Sequence, residues 1–142
     1  MSSAFVLDGS VALSWCFADE KTPESAAILE RLNQTYAVVP ALFPFEIANV
    51  LTQAERQGRL KPSDRDAFLE TLRCLPIHIE HRPLLWICQQ ILPLTRRFSR
   101  LTAYDAAYLE LALRERLPLA TLDTELRAAA DKAGVSTTNG HP

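Results

Sequence analysis

Two aspartates directly follow apolar segments that are short enough to be buried strands. Asp8 follows Phe5-Val-Leu, and Asp123 follows Ala120-Thr-Leu. In open parallel sheets, ligands bind at the carboxyl ends of the strands, where these two carboxylates would lie. Each aspartate also has an ordinary structural explanation, because such a residue commonly caps the helix that follows the strand. The spacing alone therefore leaves a chemical role and a capping role open for both residues.

Two further acids stand in the first turns of predicted helices. Glu46 comes just after Pro44, and Asp105 follows Thr102. An acid in a first turn stabilises the helix dipole by about 0.3–1 kcal/mol, which would explain a surface position. Asp105, however, is the only charged residue in the segment 101–109. It is therefore expected to be partly buried and to need a partner or a metal ion.

Four carboxylates brought together at the strand ends would repel one another, and some would retain a proton at neutral pH. A divalent cation removes that conflict. Oxygen ligands without a histidine or cysteine cluster favour Mg²⁺, with Mn²⁺ as a substitute. Such an ion polarises a phosphoryl oxygen and activates water, so the chemistry predicted is attack on a phosphate ester. The residues predicted to form this site are Asp8, Glu46, Asp105 and Asp123.

The segments that would position these acids alternate between strands and helices. Short apolar runs predict strands at 4–7, 36–39, 77–80 and 119–122, with a short fifth strand beginning at Val135. Such alternation is typical of parallel strands joined by crossover helices. We therefore expect a three-layer α/β/α domain with a central, mainly parallel sheet of four to five strands. No linker or repeat interrupts the chain, so residues 1–142 are interpreted as one domain, with 136–142 as a frayed tail.

Helix boundaries are indicated by prolines, capping residues and glycines. The expected caps or first residues are Ser10, Pro23, Pro44, Ser63, Pro83, Thr102 and either Asp123 or Thr124. Gly58 and Gly134 are expected at C-terminal caps. The helix that begins at Pro83 is expected to end at Leu92, because Pro93 breaks or kinks a helix.

Composition excludes several classes of protein. The chain has 142 residues, of which 48% are hydrophobic, as expected for one globular domain. Cys16, Cys74 and Cys88 form no C-x-x-C pair and are expected to be free thiols. The first residues do not resemble a signal peptide, and no apolar run reaches the roughly 18 residues that span a bilayer. A cytoplasmic protein is therefore expected.

Other phosphate-handling motifs do not fit. The sequence contains no P-loop, no glycine-rich dinucleotide fingerprint after the first strand, and no nucleophile elbow. Ser10 stands where a phosphatase of the haloacid dehalogenase type carries a second aspartate. A phosphoacceptor receiver domain would need a late lysine at a strand end, whereas Lys132 falls inside the last predicted helix. The metal-dependent hypothesis is therefore preferred.

Four stretches of the sequence occur together in the order and spacing of one family. They are Phe5-Val-Leu-Asp-Gly-Ser-Val-Ala-Leu-Ser-Trp, Pro44-Phe-Glu-Ile-Ala-Asn-Val-Leu, Leu101-Thr-Ala-Tyr-Asp-Ala-Ala-Tyr-Leu-Glu-Leu-Ala and Leu117-Pro-Leu-Ala-Thr-Leu-Asp-Thr-Glu-Leu. Together they resemble the PIN-domain ribonucleases, and most closely the toxin component of VapBC toxin–antitoxin modules. Gly9 is a departure, since alanine or threonine is more familiar at that position.

The resemblance implies a role for each acid. Asp8 and Asp105 would be direct metal ligands, whereas Glu46 and Asp123 would hold a second ion or its water molecules. It also implies supporting residues around the acids, namely Ser10, Asn49 and Thr121, of which Asn49 would orient the surroundings of Glu46.

The resemblance further implies an activity and its partners. The reaction would be endonucleolytic hydrolysis of RNA, and the protein would be the toxin of a type II toxin–antitoxin system. It would form a homodimer and bind a cognate VapB-type antitoxin in a hetero-oligomer. The alternative is a PIN-like module that binds RNA or protein without cutting it.

A basic segment precedes the helix of Asp105. Residues 82–103 include no acid, and Arg96, Arg97 and Arg100 fall within them. Since the net charge is −2, RNA binding would depend on such a local basic face. These three arginines are predicted to bind RNA, although a solvated arginine face explains the same pattern.

Overall fold

A single parallel sheet forms the centre of the protein. The computed structural model describes residues 4–138. Within that range the strands are β1 (Phe5–Leu7), β2 (Ala37–Pro40), β3 (Ile77–Glu80) and β4 (Leu119–Ala120), in the order β3-β2-β1-β4. Every neighbouring pair is parallel. The chain moves from β1 outward to β3 and then returns to the other side of β1, so the topology switches between β1 and β4.

Seven α-helices accompany the sheet in the described part of the chain. They are α1 (Gly9–Ser14), α2 (Pro23–Arg31), α3 (Phe43–Arg56), α4 (Pro62–Cys74), α5 (Leu84–Arg97), α6 (Ala103–Glu115) and α7 (Thr124–Ala133). The predicted α/β class with a central parallel sheet is confirmed. Between residues 4 and 138, no helix combines the length and apolar character that crossing a membrane requires.

The core is concentrated around β1 and α6. All three residues of β1 are fully buried, because β1 lies inside the sheet and is covered by helices. Helix α6 contacts β1, β2, β4, α5 and α7, and it buries Tyr108, Leu109 and Leu111. Helix α6, which carries Asp105 in its first turn, is therefore fixed by packing against three strands and two helices.

Local boundary signals account for several helix ends. Pro23 opens α2 behind the capping residue Thr22. The side chain of Thr102 accepts a hydrogen bond from the Asp105 backbone N–H and caps α6, as predicted. Gly134 follows α7 with φ at 80°, in the left-handed region that favours glycine.

Several boundary predictions are wrong; α4 begins at Pro62 rather than at Ser63, and β4 ends at Ala120 rather than at Leu122. Helix α1 begins at Gly9 with Asp8 as its N-cap, so Ser10 lies inside the helix. Helix α5 continues through Pro93 to Arg97, because Ile91 and the following turn pack against α6. No strand begins at Val135; a single parallel bridge joins Leu119 to Thr137 instead.

The last described residues stay close to β4. The backbone N–H of Leu119 donates to the carbonyl of Ser136 at 2.8 Å, and the N–H of Thr138 donates to the carbonyl of Leu119 at 2.9 Å. Residues 136–138 of the predicted tail are therefore hydrogen-bonded beside the sheet. The remainder of that tail, 139–142, lies outside the described residues.

Candidate functional site

The carboxylate of Asp8 lies at the carboxyl end of β1, beside the switch in topology. Its backbone begins α1, but its side chain caps nothing. Instead, Oδ2 accepts hydrogen bonds from the hydroxyls of Ser10 and Thr121, each at 2.7 Å. Asp8 is only 5% exposed. The capping explanation therefore fails for this residue, since a buried carboxylate that caps no helix needs another reason to be present.

Both hydroxyls are oriented by backbone groups of the segment between β4 and α7. The Ser10 hydroxyl accepts from the N–H of Leu122, and the Thr121 hydroxyl accepts from the N–H of Asp123, each at 3.0 Å. Since each hydroxyl has a single hydrogen, that hydrogen is left for Asp8. Asp8 Oδ2 is thus the acceptor of both bonds, and the ends of β1 and β4 are joined through this carboxylate.

The surroundings of Asp8 disfavour its charge. Burial raises the pKa of the Asp8 carboxyl above its usual range, and the nearby charges of Asp105 and Asp123 raise it further. The hydrogen bonds from Ser10 and Thr121 oppose that rise. Because burial and two neighbouring acids all disfavour the ionised form of Asp8, a positive charge at this place would favour that form.

Glu46 reaches the same region from the first turn of α3. The Tyr108 hydroxyl, on α6, donates to Glu46 Oε1. The carboxyl is half-buried, and burial raises its pKa, with Asp8 and Asp105 adding to that effect. The hydrogen bond from Tyr108 opposes the rise. Glu46 and Asp8 thus share an electrostatic environment, although they belong to different elements.

Asp105 and Asp123 also serve the helices on which they lie. Asp105 Oδ2 accepts from the Thr102 hydroxyl at 2.9 Å and from the Thr102 N–H at 3.4 Å, completing a capping box. Asp123 Oδ1 accepts from the backbone N–H groups of Glu125 at 2.8 Å and Leu126 at 3.2 Å. For these two acids, the capping role that the sequence leaves open is present in the structure.

Each of the four acids retains one carboxylate oxygen without a hydrogen bond to the described chain. These oxygens are Asp8 Oδ1, Glu46 Oε2, Asp105 Oδ1 and Asp123 Oδ2. Nevertheless, no three His, Cys, Asp or Glu side chains among residues 4–138 are arranged to hold a metal ion.

The donor set still fits Mg²⁺. This ion prefers carboxylate oxygens, usually retains several water molecules, and is often held by only one or two carboxylates directly. The fit therefore does not require three carboxylates in contact with one ion. It requires unpaired carboxylate oxygens around one region. The charges of Asp105 and Asp123 act on Asp8, and the charges of Asp8 and Asp105 act on Glu46, which places the four acids in one electrostatic neighbourhood.

The other predicted site residues, Asn49 and three arginines, form no hydrogen bond with the four acids within residues 4–138. Asn49 is exposed on α3, and its side chain forms no hydrogen bond within the described residues. Arg96 and Arg97 end α5, and Arg97 donates to the Lys132 carbonyl at 3.2 Å. Arg100 pairs with Glu125 in the first turn of α7 at 3.2 Å. Among the three arginines, Arg100 is therefore the one that forms an ion pair with α7, the helix that Asp123 caps.

Two residues that the sequence analysis does not select also contribute. Tyr108 contacts Glu46, and its position three residues after Asp105 on one helix would have indicated a shared face. Arg127 donates to the carbonyl of Thr121 at 2.6 Å and to Glu24 at 3.1 Å. No local signal identifies Arg127, because its partner in α2 is distant in sequence.

The structure is an α/β domain with Asp8 at the end of β1 and Asp123 at the start of α7, and comparison with known families identifies its family. The PIN-domain family model matches residues 5–132. The chain therefore belongs to the PIN-domain family, whose members are generally nucleases. No curated protein matches the chain.

Solved structures agree on the fold. The PAE2754 protein of Pyrobaculum aerophilum superposes with a TM-score of 0.66 at 23% identity, over 89% of this chain and 79% of the other. FitAcB of Neisseria gonorrhoeae superposes with a TM-score of 0.63 at 20% identity, over 98% of each chain. At these identities the similarity concerns the fold.

Proposed function

We propose that this protein is a Mg²⁺-dependent endoribonuclease, and that it is the VapC-type toxin of a toxin–antitoxin pair. One observation carries the proposal. Asp8 is a buried carboxylate that caps no helix, is held by two oriented hydroxyls, and lies close enough to Asp105 and Asp123 to feel their charges. Its two hydrogen bonds join the ends of β1 and β4, but a neutral acceptor would do this without burying a charge, whereas a cation site needs the carboxylate.

The division of labour follows from the hydrogen bonds. Asp8 and Asp105 would contact the ion through Oδ1, because Oδ2 of each is already used by hydroxyl donors. Glu46 and Asp123 would act through Oε2 and Oδ2, directly or through water. When bound, Mg²⁺ would polarise a phosphoryl oxygen and lower the barrier to attack by water. Ser10 and Thr121 would keep the Asp8 carboxylate fixed during that step.

The first test is removal of the metal. EDTA should stop RNA cleavage by the purified protein, and Mg²⁺ or Mn²⁺ in excess should restore it. Total RNA exposed briefly to the protein, followed by mapping of the new ends, measures the activity and identifies the target. Cleavage that ignores EDTA would overturn the metal-dependent mechanism, and RNA binding without cleavage under every metal condition would favour a non-catalytic module.

Arg96 offers a test of the RNA-binding face. It is exposed at the end of α5 and forms no ion pair within residues 4–138. Arg96→Glu should weaken RNA binding and lower the slope of log affinity against log salt by about one. The matched control is Arg56→Glu, an exposed arginine at the opposite end of α3 from Glu46. If Arg96→Glu and Arg56→Glu change the salt slope equally, Arg96 makes no specific contact with RNA and is simply exposed to solvent.

This protein has two apolar surfaces on which the proposed partners would bind. A groove of about 460 Å³ runs between α3, α4 and β3, with Pro44 and Ile47 among its lining residues. It would take an antitoxin segment on a side of α3 where none of the four acids lines the groove. Helix α5 exposes Leu84, Leu85 and Leu92, and such an apolar patch supports association with a second copy. Sedimentation of the chain alone and with its antitoxin would measure both associations.

A further inference from the structure

Tyr108 is the most deeply buried polar residue that touches the acidic site. Its side chain is fully buried in α6, and its hydroxyl donates to Glu46 Oε1 on α3. Tyr108 lies one helical turn after Asp105, so α6 presents a carboxylate and a hydroxyl on the same face. The two residues therefore reach the site from one rigid element.

The partner of this hydroxyl is unusual for a purely structural role. A buried tyrosine hydroxyl needs an acceptor, but a backbone carbonyl would provide one without burying a charge. Here the acceptor is a half-buried carboxylate that Asp8 and Asp105 repel. In this bond the Tyr108 hydroxyl is the donor and Glu46 Oε1 is the acceptor.

Glu46 Oε1 is confined on a second side by the start of α1. A Cβ atom at Gly9 would lie 3.4 Å from Oε1 and 3.8 Å from Cδ of Glu46. The backbone at Gly9 and the Tyr108 hydroxyl thus bound the same oxygen. Both Oε1 and the carboxyl carbon Cδ of Glu46 are therefore held. Because the carboxylate is planar, the direction of Oε2 is then determined as well.

We propose that Tyr108 is a positioning residue for the cation site, which it serves by holding Glu46 so that Oε2 is the oxygen offered to the ion. This inference rests on the proposed function, since it concerns the same site. Tyr108 itself would contact neither the ion nor the RNA. Its effect would pass entirely through Glu46.

Binding of Mn²⁺ to the full-length protein, followed by electron paramagnetic resonance, tests the inference without relying on activity. Tyr108→Phe keeps the buried ring and removes only the hydroxyl, so the fold is retained. The dissociation constant for Mn²⁺ should rise about tenfold, as is typical when the partner of a metal-binding side chain is lost. Tyr104→Phe removes a hydroxyl from the exposed side of the same helix and should leave the constant unchanged.

A second comparison separates positioning from stability. Glu46→Gln already lacks the charge at this position, so adding Tyr108→Phe to it should not weaken Mn²⁺ binding further. In the single Tyr108→Phe variant, cleavage should need about tenfold more Mn²⁺ for half-maximal rate, whereas kcat at saturating Mn²⁺ should change much less.

The outcomes distinguish failure of the positioning role from failure of the metal-dependent function. If the wild-type protein binds Mn²⁺ and Tyr108→Phe binds it equally well, the positioning role is wrong and the metal site stands, even if the melting temperature falls. If the wild-type protein binds no Mn²⁺, the metal-dependent function is wrong and the positioning role fails with it. A tenfold loss in Tyr108→Phe alone, absent in the Glu46→Gln background, supports the inference.

Discussion

Replacing Asp8 with asparagine is expected to abolish RNA cleavage and, at the same time, to stabilise the metal-free protein. The loss of activity should reach at least about 10³-fold, which corresponds to ~4 kcal/mol of transition-state free energy. Asparagine keeps the size of the side chain, and its carbonyl oxygen can still accept from Ser10 and Thr121. What it removes is the negative charge on which the cation site depends.

The gain in stability follows from the pKa of Asp8. Burial and the charges of Asp105 and Asp123 raise that pKa, so the folded protein disfavours the ionised form. A neutral amide at this position is not subject to that penalty. Thermal unfolding in EDTA at pH 7.5 measures the effect, and a rise of several degrees in Tm is expected, at roughly 4 °C per kcal/mol for a domain of this size.

Asp131→Asn is the matched control for Asp8→Asn. Asp131 is exposed on α7, and its side chain makes no hydrogen bond or ion pair within the described residues. The same change of atoms there should alter neither cleavage nor Tm appreciably. Retained cleavage in Asp8→Asn would refute the assignment of Asp8, whereas lost cleavage with a lowered Tm would indicate that Asp8 is needed for folding.

Sequence patterns predicted the positions of the acids well because those positions depend on local signals. Short apolar runs locate β1 and β4; Asp8 follows β1 directly, and Asp123 lies three residues after the end of β4. Thr102 marks the start of α6, and it thereby places Asp105 in the first turn. Each of these features is written in a few adjacent residues, and the parallel order of the strands then brings their ends to one edge of the sheet.

Features that depend on contacts between distant segments were not predictable in the same way. Pro93 is a valid stop signal, yet α5 continues through it because tertiary packing against α6 outweighs the lost backbone hydrogen bond. Serine is a preferred N-cap residue, but Asp8 rather than Ser10 occupies the N-cap position of α1. The Ser10 hydroxyl therefore donates to the Asp8 carboxylate instead. The contact between Tyr108 and Glu46 joins residues 62 positions apart. No periodicity in the sequence encodes it.

The structure also divides acids that the sequence treats alike. Asp105 and Asp123 both cap helices, so their presence would be explained without any chemistry. Asp8 and Glu46 cap nothing with their side chains, and both have raised pKa values. Asp8 and Glu46 are therefore the two acids whose charges the fold disfavours and whose side chains no capping role explains. Their behaviour with pH is consequently the most direct thermodynamic test of the site.

The difference in Tm between Asp8→Asn and the wild-type protein is expected to grow as the pH rises in EDTA. The folded pKa of Asp8 lies above its ordinary value of 3.8. A carboxyl with a raised pKa stabilises the fold fully at low pH, where it is protonated, and loses that contribution as the pH rises through the folded pKa. Asparagine does not titrate. The two proteins should therefore have similar Tm values near pH 4 and should diverge by several degrees at pH 8.

The difference in Tm between Asp8→Asn and the wild-type protein excludes most effects of pH on other groups. The exposed ion pairs titrate equally in both proteins, and so do the acids that face Asp8, apart from their coupling to its charge. Those facing acids are Glu46, Asp105 and Asp123. A difference that stays constant from pH 4 to pH 8 would contradict the raised pKa of Asp8.

Adding Mg²⁺ should reduce the difference in Tm by raising the Tm of the wild-type protein. A ligand that binds only the folded protein adds about 1.4 kcal/mol of stability at ten times its dissociation constant. The wild-type Tm should rise on addition of Mg²⁺ at pH 8, whereas the Tm of Asp8→Asn should respond little, because its cation site is impaired. At pH 4 the wild-type response should also disappear, since protons and the cation compete for the same carboxylates. An equal response of both proteins at pH 8 would place Mg²⁺ elsewhere on the molecule and would separate the disfavoured charge of Asp8 from metal binding.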